Sequence, residues 1–301
     1  MALPLLYKYL SVEGAKKTLG TNTFRHAKPS SFNDIEDLTV ASIFPEGEEA
    51  ALAVISASFT DVILANLDKP PTCINAQMRA QVAVIQKVFR DNPNAAAIGK
   101  AEMLKNPNAA ALNVESLRAL GKSTIAWINT FMQGYRVLCV TKHKDSEKMW
   151  SGYAESHKGI ALRIEPNVAK DSKFQRFQPV TYRAKRPALY DDALSFLTSS
   201  LFADQEASKR EMIDKIVYSK TLEWAYESEY RLAIPLRQGE EPWDTLKFHP
   251  EEITELYLGL AMDEADKADI LAKAKSLNPS IAVFQAKRGN DGKKLAFDSA
   301  E

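Results

Sequence analysis

Apolar and polar residues follow two spacings along this chain, one typical of strands and one typical of helices. Short alternating or aromatic-rich runs predict strands at residues 5–11, 23–27, 135–141, 160–164, 180–182, 252–260, 280–286 and, at an edge, 294–297. Longer runs with helical spacing predict helices at residues 12–19, 145–155, 191–218 and 263–276. This arrangement predicts an α+β fold with a mixed or antiparallel β core.

The segment from about residue 38 to residue 133 differs from the rest because it is Ala-rich and helical in pattern. Its apolar spacing predicts helices at residues 48–66, 73–90, 95–105 and 114–132. It contains no histidine and no cluster of acidic residues, and its sequence does not indicate a function. We therefore predict a single α+β domain over residues 1–301, with residues 38–133 as a helical insertion or lid.

The charge balance argues against functions that need a strongly basic surface. Lys plus Arg and Asp plus Glu each number 39, which gives a formal net charge of zero. A general nucleic-acid coat or a basic membrane-surface protein would carry an excess of positive charge. The dense run of basic residues from Lys170 to Arg186 could still form a local basic groove.

The cysteines and the N-terminal sequence predict the compartment. Cys73 and Cys139 are too far apart to form a recognisable metal or redox motif, and so few cysteines suggest a reducing compartment. The first residues, MALPLLYKYL, lack the basic region and the long apolar run of a signal peptide. No run approaches the length that spans a membrane. We expect a cytoplasmic protein that has no membrane partner. The alternative is a protein that is exported without a signal peptide, which would have the same sequence features.

Residues 220–235, KTLEWAYESEYRLAIP, carry the clearest candidate chemistry, a pair of closely spaced glutamates. If a strand already runs through Ser228, alternation places Glu227, Glu229 and Arg231 on one face, with neighbouring carboxylates about 6 to 7 Å apart. Two such carboxylates raise each other's pKa unless a cation separates them, and Arg231 is the obvious cation. The alternative is an exposed charged strand face with an ordinary surface ion pair.

Other polar candidates are few, because the chain has no Gly-rich phosphate loop, zinc motif or nucleophile elbow. His157 is the histidine best suited to a site, since it follows a predicted helix and adjoins a glycine turn. For a lone histidine, a surface position or a hydrogen bond within the fold is the alternative. Asn33 and Asp34 lie on a predicted loop, where binding groups are often displayed.

Aromatic side chains could form the wall of a pocket. Tyr7 and Tyr9 lie on the first predicted strand, and Trp150 and Tyr153 share one side of the helix predicted at 145–155. Such rings can stack on a flat ligand ring. The alternative is that they belong to the hydrophobic core, above all Trp150.

Five segments recur in an order that is typical of one protein family. They are LYKYLS, FNDIED, MWSGYAESHKGIAL, EWAYESEYRL and EITELYLG, and they extend from Leu6 to Gly259 but skip the helical insertion. This pattern resembles the bacterial family called domain of unknown function 2971, which has no settled activity. Leu10, Thr141 and Gly152 stand where that family often has Arg, Ser and His. The candidates in matching positions are Asn33, Asp34, Trp150, Tyr153, His157, Glu227 and Glu229.

At a greater distance, the order of these segments is similar to the ADP-ribosyltransferase fold. That resemblance assigns binding or catalytic positions to Lys8 or Tyr9 on the first strand, to Thr141 with Tyr153 in the middle, and to Glu229 on a late strand. It implies an enzyme that consumes NAD, either by transferring ADP-ribose or by hydrolysis. It also implies a role in bacterial toxin or phage-defence systems.

The resemblance implies a role for each candidate. Glu229 would stabilise the oxocarbenium-like cation that forms when the nicotinamide bond of NAD breaks, and Glu227 would orient or deprotonate the acceptor. Asn33 or Lys8 would hold the amide or the diphosphate, and no metal is expected. The acceptor, whether protein, nucleic acid or water, is left open. The remaining residues of the expected nucleotide site are Tyr9, Asp34, Thr141, Trp150, Tyr153, His157 and Arg231.

Two other hypotheses use the same acidic residues. A metal-dependent phosphodiesterase or nuclease would use Asp34, Asp37, Glu227 and Glu229 as oxygen ligands for Mg²⁺, and chelators would abolish its activity. A non-catalytic binding or scaffold module would use Glu227, Glu229 and Arg231 as a structural network. In that case, Glu229→Gln would change stability more than ligand affinity.

Overall fold

The α+β prediction is confirmed by a computed structural model, which describes residues 3–73, 75–105, 113–237, 243–289 and 294–300. The strands are β1 (Leu6–Leu10), β2 (Thr23–Arg25), β3 (Tyr135–Thr141), β4 (Ile160–Ile164), β5 (Gln178–Pro179), β6 (Thr181–Arg183), β7 (Ser219–Thr221), β8 (Glu229–Pro235), β9 (Thr245–Lys247), β10 (Ile253–Leu258), β11 (Ala282–Arg288) and β12 (Leu295–Ser299). The α-helices are α1 (Val12–Thr21), α2 (Glu48–Leu64), α3 (Ala76–Asp91), α4 (Pro93–Lys105), α5 (Val114–Met132), α6 (Glu147–Tyr153), α7 (Ala193–Phe202), α8 (Gln205–Val217) and α9 (Glu264–Leu277).

The chain separates into two compact units, each built from segments that are distant in sequence. The β-rich unit contains Met1–Asp37, Gln133–Ala184 and Lys220–Glu301, and the helical unit contains Leu38–Met132 and Lys185–Ser219. The helical unit therefore extends beyond the predicted insertion at 38–133. The organisation as one domain with an insertion stays a prediction.

The β-rich unit is built on a mixed sheet, as predicted. Its eight strands follow the order β12-β11-β10-β4-β1-β3-β8-β5. β10 and β11 are parallel, whereas the other neighbouring strands with a described register are antiparallel. The parallel pair is joined through α9, because two parallel strands need a crossover connection.

Alternate residues of this sheet are buried in two separate hydrophobic clusters. Leu256 belongs to a cluster that contains Ala15 of α1 and Ile270 of α9. The next residue, Tyr257, belongs to the other cluster, which contains Trp150 of α6. Successive side chains of a strand point to opposite faces, so one strand can contribute to both clusters. The sheet is thus covered by α1 and α9 on one face and by α6 on the other.

The sheet opens between its central strands β1 and β3. The register between them is described at one pair, Tyr7 with Thr141, whereas β1 pairs with β4 over its whole length. Beyond that pair, the Lys8 side chain bridges the two strands, since its Nζ donates to the carbonyl oxygen of Cys139 at 3.0 Å. The opening creates a gap in the middle of an otherwise continuous sheet.

The turn after α6 is held in an unusual backbone conformation. Glu155, Ser156 and His157 have φ angles of 51°, 52° and 67°, in the left-handed region that L-residues rarely adopt. The start of the segment after β10 packs directly against this turn. A Cβ atom on Gly259 would lie 2.1 Å from the carbonyl oxygen of His157 and 2.6 Å from that of Gly159. Only glycine fits at position 259.

The helical unit is organised around α2, which packs against α4, α5 and α7. The segment 185–219 joins this unit through backbone hydrogen bonds from Leu189 N to Ser42 O at 2.9 Å and from Tyr190 N to Ile43 O at 3.0 Å. The buried apolar residues of α2 are Ala51, Leu52, Ile55, Val62 and Ile63.

Several predicted helix bounds differ from the structure, and for two helices the cause is visible. α1 continues to Thr21, because Asn22, with φ of 59°, is the residue that adopts the left-handed conformation and ends the helix. The helix predicted at 191–218 is two helices, since the side chain of Asp204 accepts hydrogen bonds from two backbone N–H groups and begins α8. In the described parts of the chain, no helix has both the length and the apolar composition needed to cross a membrane.

Candidate active site

A pocket of about 320 Å³ lies where β1 and β3 separate. Both strands contribute to its wall, together with the segment after β2, α6 and the start of β8. The pocket is lined by Tyr7, Lys8, Tyr9, Ala27, Ser31, Phe32, Asn33, Cys139, Val140, Thr141, Met149, Gly152, Tyr153, Lys220, Glu227 and Glu229.

Glu227 and Glu229 reach this pocket through a turn rather than a continuous strand. A 3-10 helix covers Leu222–Glu227, Ser228 has φ of 43°, and β8 begins only at Glu229. The expectation of a strand through Ser228 is therefore wrong, because the left-handed conformation of this residue interrupts the extended backbone. The two carboxylates still converge, since both accept from the same ammonium group.

Lys220 provides that ammonium group. Its Nζ lies 2.6 Å from Glu227 Oε2, 3.5 Å from Glu229 Oε2 and 3.7 Å from Asp37 Oδ2. All four side chains are almost completely buried. The glutamates are therefore parts of a buried charge cluster, and the alternative of an exposed charged strand face is wrong.

Arg231 closes the other side of the cluster. Its Nε donates to Glu229 Oε1 at 2.8 Å, and its Nη1 and Nη2 donate to the two carboxylate oxygens of Asp37 at 2.9 and 2.5 Å. Arg231 has no exposed surface, so it positions Glu229 from behind and does not line the pocket. Removing one partner of such a buried ion pair costs about 3–5 kcal/mol, because it leaves an uncompensated charge.

The two pocket carboxylates have opposite pKa shifts. Burial alone would raise the pKa of Glu229, but Arg231 and Lys220 outweigh burial and hold this pKa at about 2. Burial raises the pKa of Glu227 above its ordinary value, although Lys220 opposes the change. Glu229 is thus an anion at neutral pH, whereas Glu227 can take up a proton more readily.

Glu227 is also held from the pocket side. The hydroxyl group of Tyr153 donates a hydrogen bond to Glu227 Oε1, and Asn33 Nδ2 donates to the same hydroxyl group at 3.2 Å. The backbone of Glu227 is fixed by Thr141, whose Oγ1 donates to its carbonyl oxygen at 2.5 Å. The predicted residues Asn33, Thr141 and Tyr153 therefore all act on the position of Glu227.

Lys8 and Tyr9 lie at the gap itself. Burial lowers the pKa of Lys8, although the negative charges of Glu229 and Glu227 oppose this change. The hydroxyl group of Tyr9 donates to the carbonyl oxygen of His143 at 2.8 Å. Lys8 thus brings a buried amine, and Tyr9 an aromatic ring, to the wall of the pocket.

Three other predicted residues do not line the pocket. Trp150 is completely buried, and its Nε1 donates to Lys144 O at 2.7 Å. It therefore belongs to the hydrophobic core, which was the alternative to a place in the pocket wall. His157 lies in the turn after α6, with Nε2 3.0 Å from Glu147 Oε1. Asp34 Oδ1 accepts from the backbone N–H of Glu36 and stabilises the loop.

Several lining residues were missed by sequence analysis, and Lys220 is the most important of them. A lysine seven residues before Glu227 gives no signal of burial, because its partners come together only in the folded chain. Phe32 and Met149 also line the pocket but were not proposed for the site, although each of them begins one of the five family segments.

The arrangement also bears on the metal hypothesis. Oxygens of Asp37, Glu227 and Glu229 already accept from Lys220 or Arg231. Among the residues that the structure describes, no group of three or more His, Cys, Asp or Glu side chains is arranged to hold a metal ion.

Comparison with protein families gives a match over part of the chain. Residues 149–232 match a family model described as "Protein of unknown function (DUF2971)". This segment begins in α6 and ends in β8, and it contains Tyr153, Lys220, Glu227, Glu229 and Arg231. The match thus supports the family resemblance over the part of the chain that carries most of the charge cluster.

Neither a curated protein nor a solved structure matches the chain. The similarity to the ADP-ribosyltransferase fold therefore stays a prediction.

Proposed function

We propose that the pocket binds NAD and that Glu227 and Glu229 break the bond between its nicotinamide ring and ribose. The observation that carries this proposal is the pair of carboxylates with opposite pKa shifts beside an aromatic-lined pocket. Environments that separate the pKa values of two neighbouring acids are typical of acid–base sites. Glu229 is suited to stabilise positive charge, and Glu227 is suited to accept a proton.

The chemistry balances with two reactants, NAD and an acceptor. The carbon–nitrogen bond of NAD breaks, and its electron pair neutralises the positively charged nicotinamide nitrogen. The ribose carbon becomes an oxocarbenium-like cation, which the fixed charge of Glu229 stabilises. Water or another acceptor attacks this carbon through oxygen, and its proton passes to Glu227.

The pocket wall supports recognition of such a substrate. The rings of Phe32 and Tyr153 offer stacking surfaces, whereas Tyr7 and Tyr9 line the pocket but are largely buried in the core. The amide of Asn33 and the amine of Lys8 offer hydrogen bonds. A volume of about 320 Å³ is near the lower end for small-molecule sites. It suits the nicotinamide and ribose better than a whole dinucleotide. A macromolecular acceptor and a role in toxin or phage-defence systems belong to the same proposal.

A non-catalytic binding module is the second candidate, and one observation favours it. All four carboxylate oxygens of Glu227 and Glu229 already accept hydrogen bonds from Tyr153, Lys220 or Arg231. Such saturation is typical of a structural network. In that case the pocket binds a small molecule and leaves it unchanged.

The test compares the wild type with Glu229→Gln by calorimetric titration with NAD while nicotinamide release is followed. The enzyme proposal predicts that the wild type binds NAD and releases nicotinamide and that Glu229→Gln does not release it. Glu252→Gln is the matched control, because Glu252 is also a buried glutamate but does not line the pocket. Binding without release by the wild type would favour the binding module, and neither binding nor release would reject NAD.

A further inference from the structure

Lys220 lies in a buried position, where its charge interacts strongly with the neighbouring carboxylates. It lies on β7 and is 8% exposed, and the ring of Trp224 covers its ammonium group at 4.6 Å from the ring centre. Little water can therefore screen the charge, and the local dielectric constant is low. The contact of 2.6 Å with Glu227 Oε2 is the shortest that Lys220 makes to the three carboxylates.

The position of Lys220 is set from the interior side of the cluster. Glu229 and Asp37 attract its ammonium group at 3.5 and 3.7 Å, and both carboxylates are themselves held by Arg231. The order of contacts runs from Arg231 through these acids to Lys220 and then to Glu227. A series of buried ion pairs thus connects Arg231 to Glu227, which we assign as the proton acceptor.

We propose that Lys220 is a positioning residue, whose ammonium group fixes the place of the Glu227 carboxylate and keeps it charged so that it can accept a proton. This inference rests on the proposed function, in which Glu227 is the base. Lys220 acts through Glu227 and need not contact the substrate.

The surroundings of Glu227 explain why the charge of Lys220 controls whether Glu227 is protonated. Burial and the charge of Glu229 both favour the protonated form, and Lys220 is the cation in direct contact that opposes them. Without Lys220, the hydrogen bond from Tyr153 remains, but the remaining influences favour protonation. The titratable groups that face Glu227 are Lys220 on β7, Tyr153 on α6, Tyr226 on the 3-10 helix, Glu229 on β8, Tyr182 on β6 and Lys8 on β1.

The first experiment is the pH dependence of kcat/KM for nicotinamide release. Lys220→Met keeps the length of the side chain and removes its charge, so the acid limb should move up by about one to three pH units. Lys220→Arg keeps the charge, so its limb should stay within about half a unit of the wild type. Lys215→Met is the matched control, because Lys215 also contacts one carboxylate at 2.6 Å, that of Asp191, but does not line the pocket.

A second experiment does not depend on turnover. NMR titration of ¹³C-labelled glutamate carboxyls, with Glu227 assigned through Glu227→Gln, measures the pH at which Glu227 itself titrates. We expect the same upward shift in Lys220→Met as in the rate profile. If the wild type releases no nicotinamide, the proposed function fails, but this titration still tests Lys220.

The inference is overturned if Glu227 titrates at the same pH in the wild type and in folded Lys220→Met. If Lys220→Met does not fold, Lys220→Gln decides, because it also removes the charge. A rise of about one pH unit or more in that variant supports the inference, and an unchanged titration overturns it.

Discussion

The hydroxyl group of Tyr153 donates a hydrogen bond to the Glu227 carboxylate and so joins α6 to the buried charge cluster. This contact couples the pocket wall to the stability of the protein. Tyr153→Phe removes the donor and keeps the ring, so Glu227 Oε1 loses its partner inside the protein. Hydrogen bonds to charged groups contribute about 1.5–3 kcal/mol.

We therefore expect Tyr153→Phe to lower the free energy of unfolding by about that amount at pH 7, as measured by urea denaturation. Tyr230→Phe is the control, because the ring of Tyr230 packs against the sheet core on β8 and does not line the pocket. If both variants lowered the free energy of unfolding equally, the hydrogen bond from Tyr153 to Glu227 would not account for the loss.

Glu229 gives a prediction for the pH dependence of stability. Its folded pKa of about 2 lies below its ordinary value of 4.5, so its contribution is fully present above pH 4.5 and is lost as the pH falls towards 2. The difference between 4.5 and about 2, at about 1.4 kcal/mol per pH unit, corresponds to about 3 kcal/mol.

The measurement is urea denaturation of the wild type and Glu229→Gln between pH 2 and about pH 6 at constant ionic strength. The difference in the free energy of unfolding should be about 3 kcal/mol near pH 6 and should decline towards pH 2. Because Glu227 and Asp37 also titrate, the difference between the two proteins is more informative than either curve. A difference that stays constant over this range would contradict the assignment of Glu229 as a low-pKa anion.

Sequence analysis succeeded where local pattern determines structure. β3 and β4 have the predicted bounds, 135–141 and 160–164, because each is a short, mostly apolar run that contains β-branched residues, which favour strands. It also identified Glu227 and Glu229 as neighbours. It gave the wrong reason, since the left-handed Ser228 depends on contacts that no periodicity encodes.

The remaining features of the site depend on long-range contacts. Lys220 and Asp37 are ordinary charged residues in sequence, and only the fold brings them within 3.7 Å of each other. The gap between β1 and β3 arises because the two strands pair only at Tyr7 and Thr141. Strand propensity does not predict where the hydrogen-bonded pairing of two strands ends. Trp150 follows the pocket residue Met149 directly, yet its ring is completely buried in the core.

Ser156 offers a test of backbone strain in the turn after α6. Its φ of 52° is costly for an L-residue, by about 1–2 kcal/mol, and its side chain is exposed. Ser156→Gly should therefore raise the free energy of unfolding by about 1 kcal/mol, measured by thermal or urea denaturation. Ser151→Gly is the control, since Ser151 is an exposed residue within α6 and the change should destabilise the protein by about 0.5–1 kcal/mol. Stabilisation by both changes, or by neither, would contradict this account.

Gly259 gives the opposite prediction at the other side of the same turn. Alanine at this position would bring Cβ to 2.1 Å from the carbonyl oxygen of His157, and backbone atoms of both segments would have to move. The His157 carbonyl also accepts from Ala261 N at 2.9 Å, so this movement would break a backbone hydrogen bond. We expect Gly259→Ala to lower the free energy of unfolding by more than about 3 kcal/mol, with weak expression and a lower Tm.

Gly99→Ala is the matched control, because Gly99 lies in α4 with no atom within 4 Å of an added Cβ. In a helix interior this change should stabilise by up to about 1 kcal/mol. A Gly259→Ala variant as stable as the wild type would show that the two segments can separate, and the turn after α6 would then not hold the pocket wall rigidly.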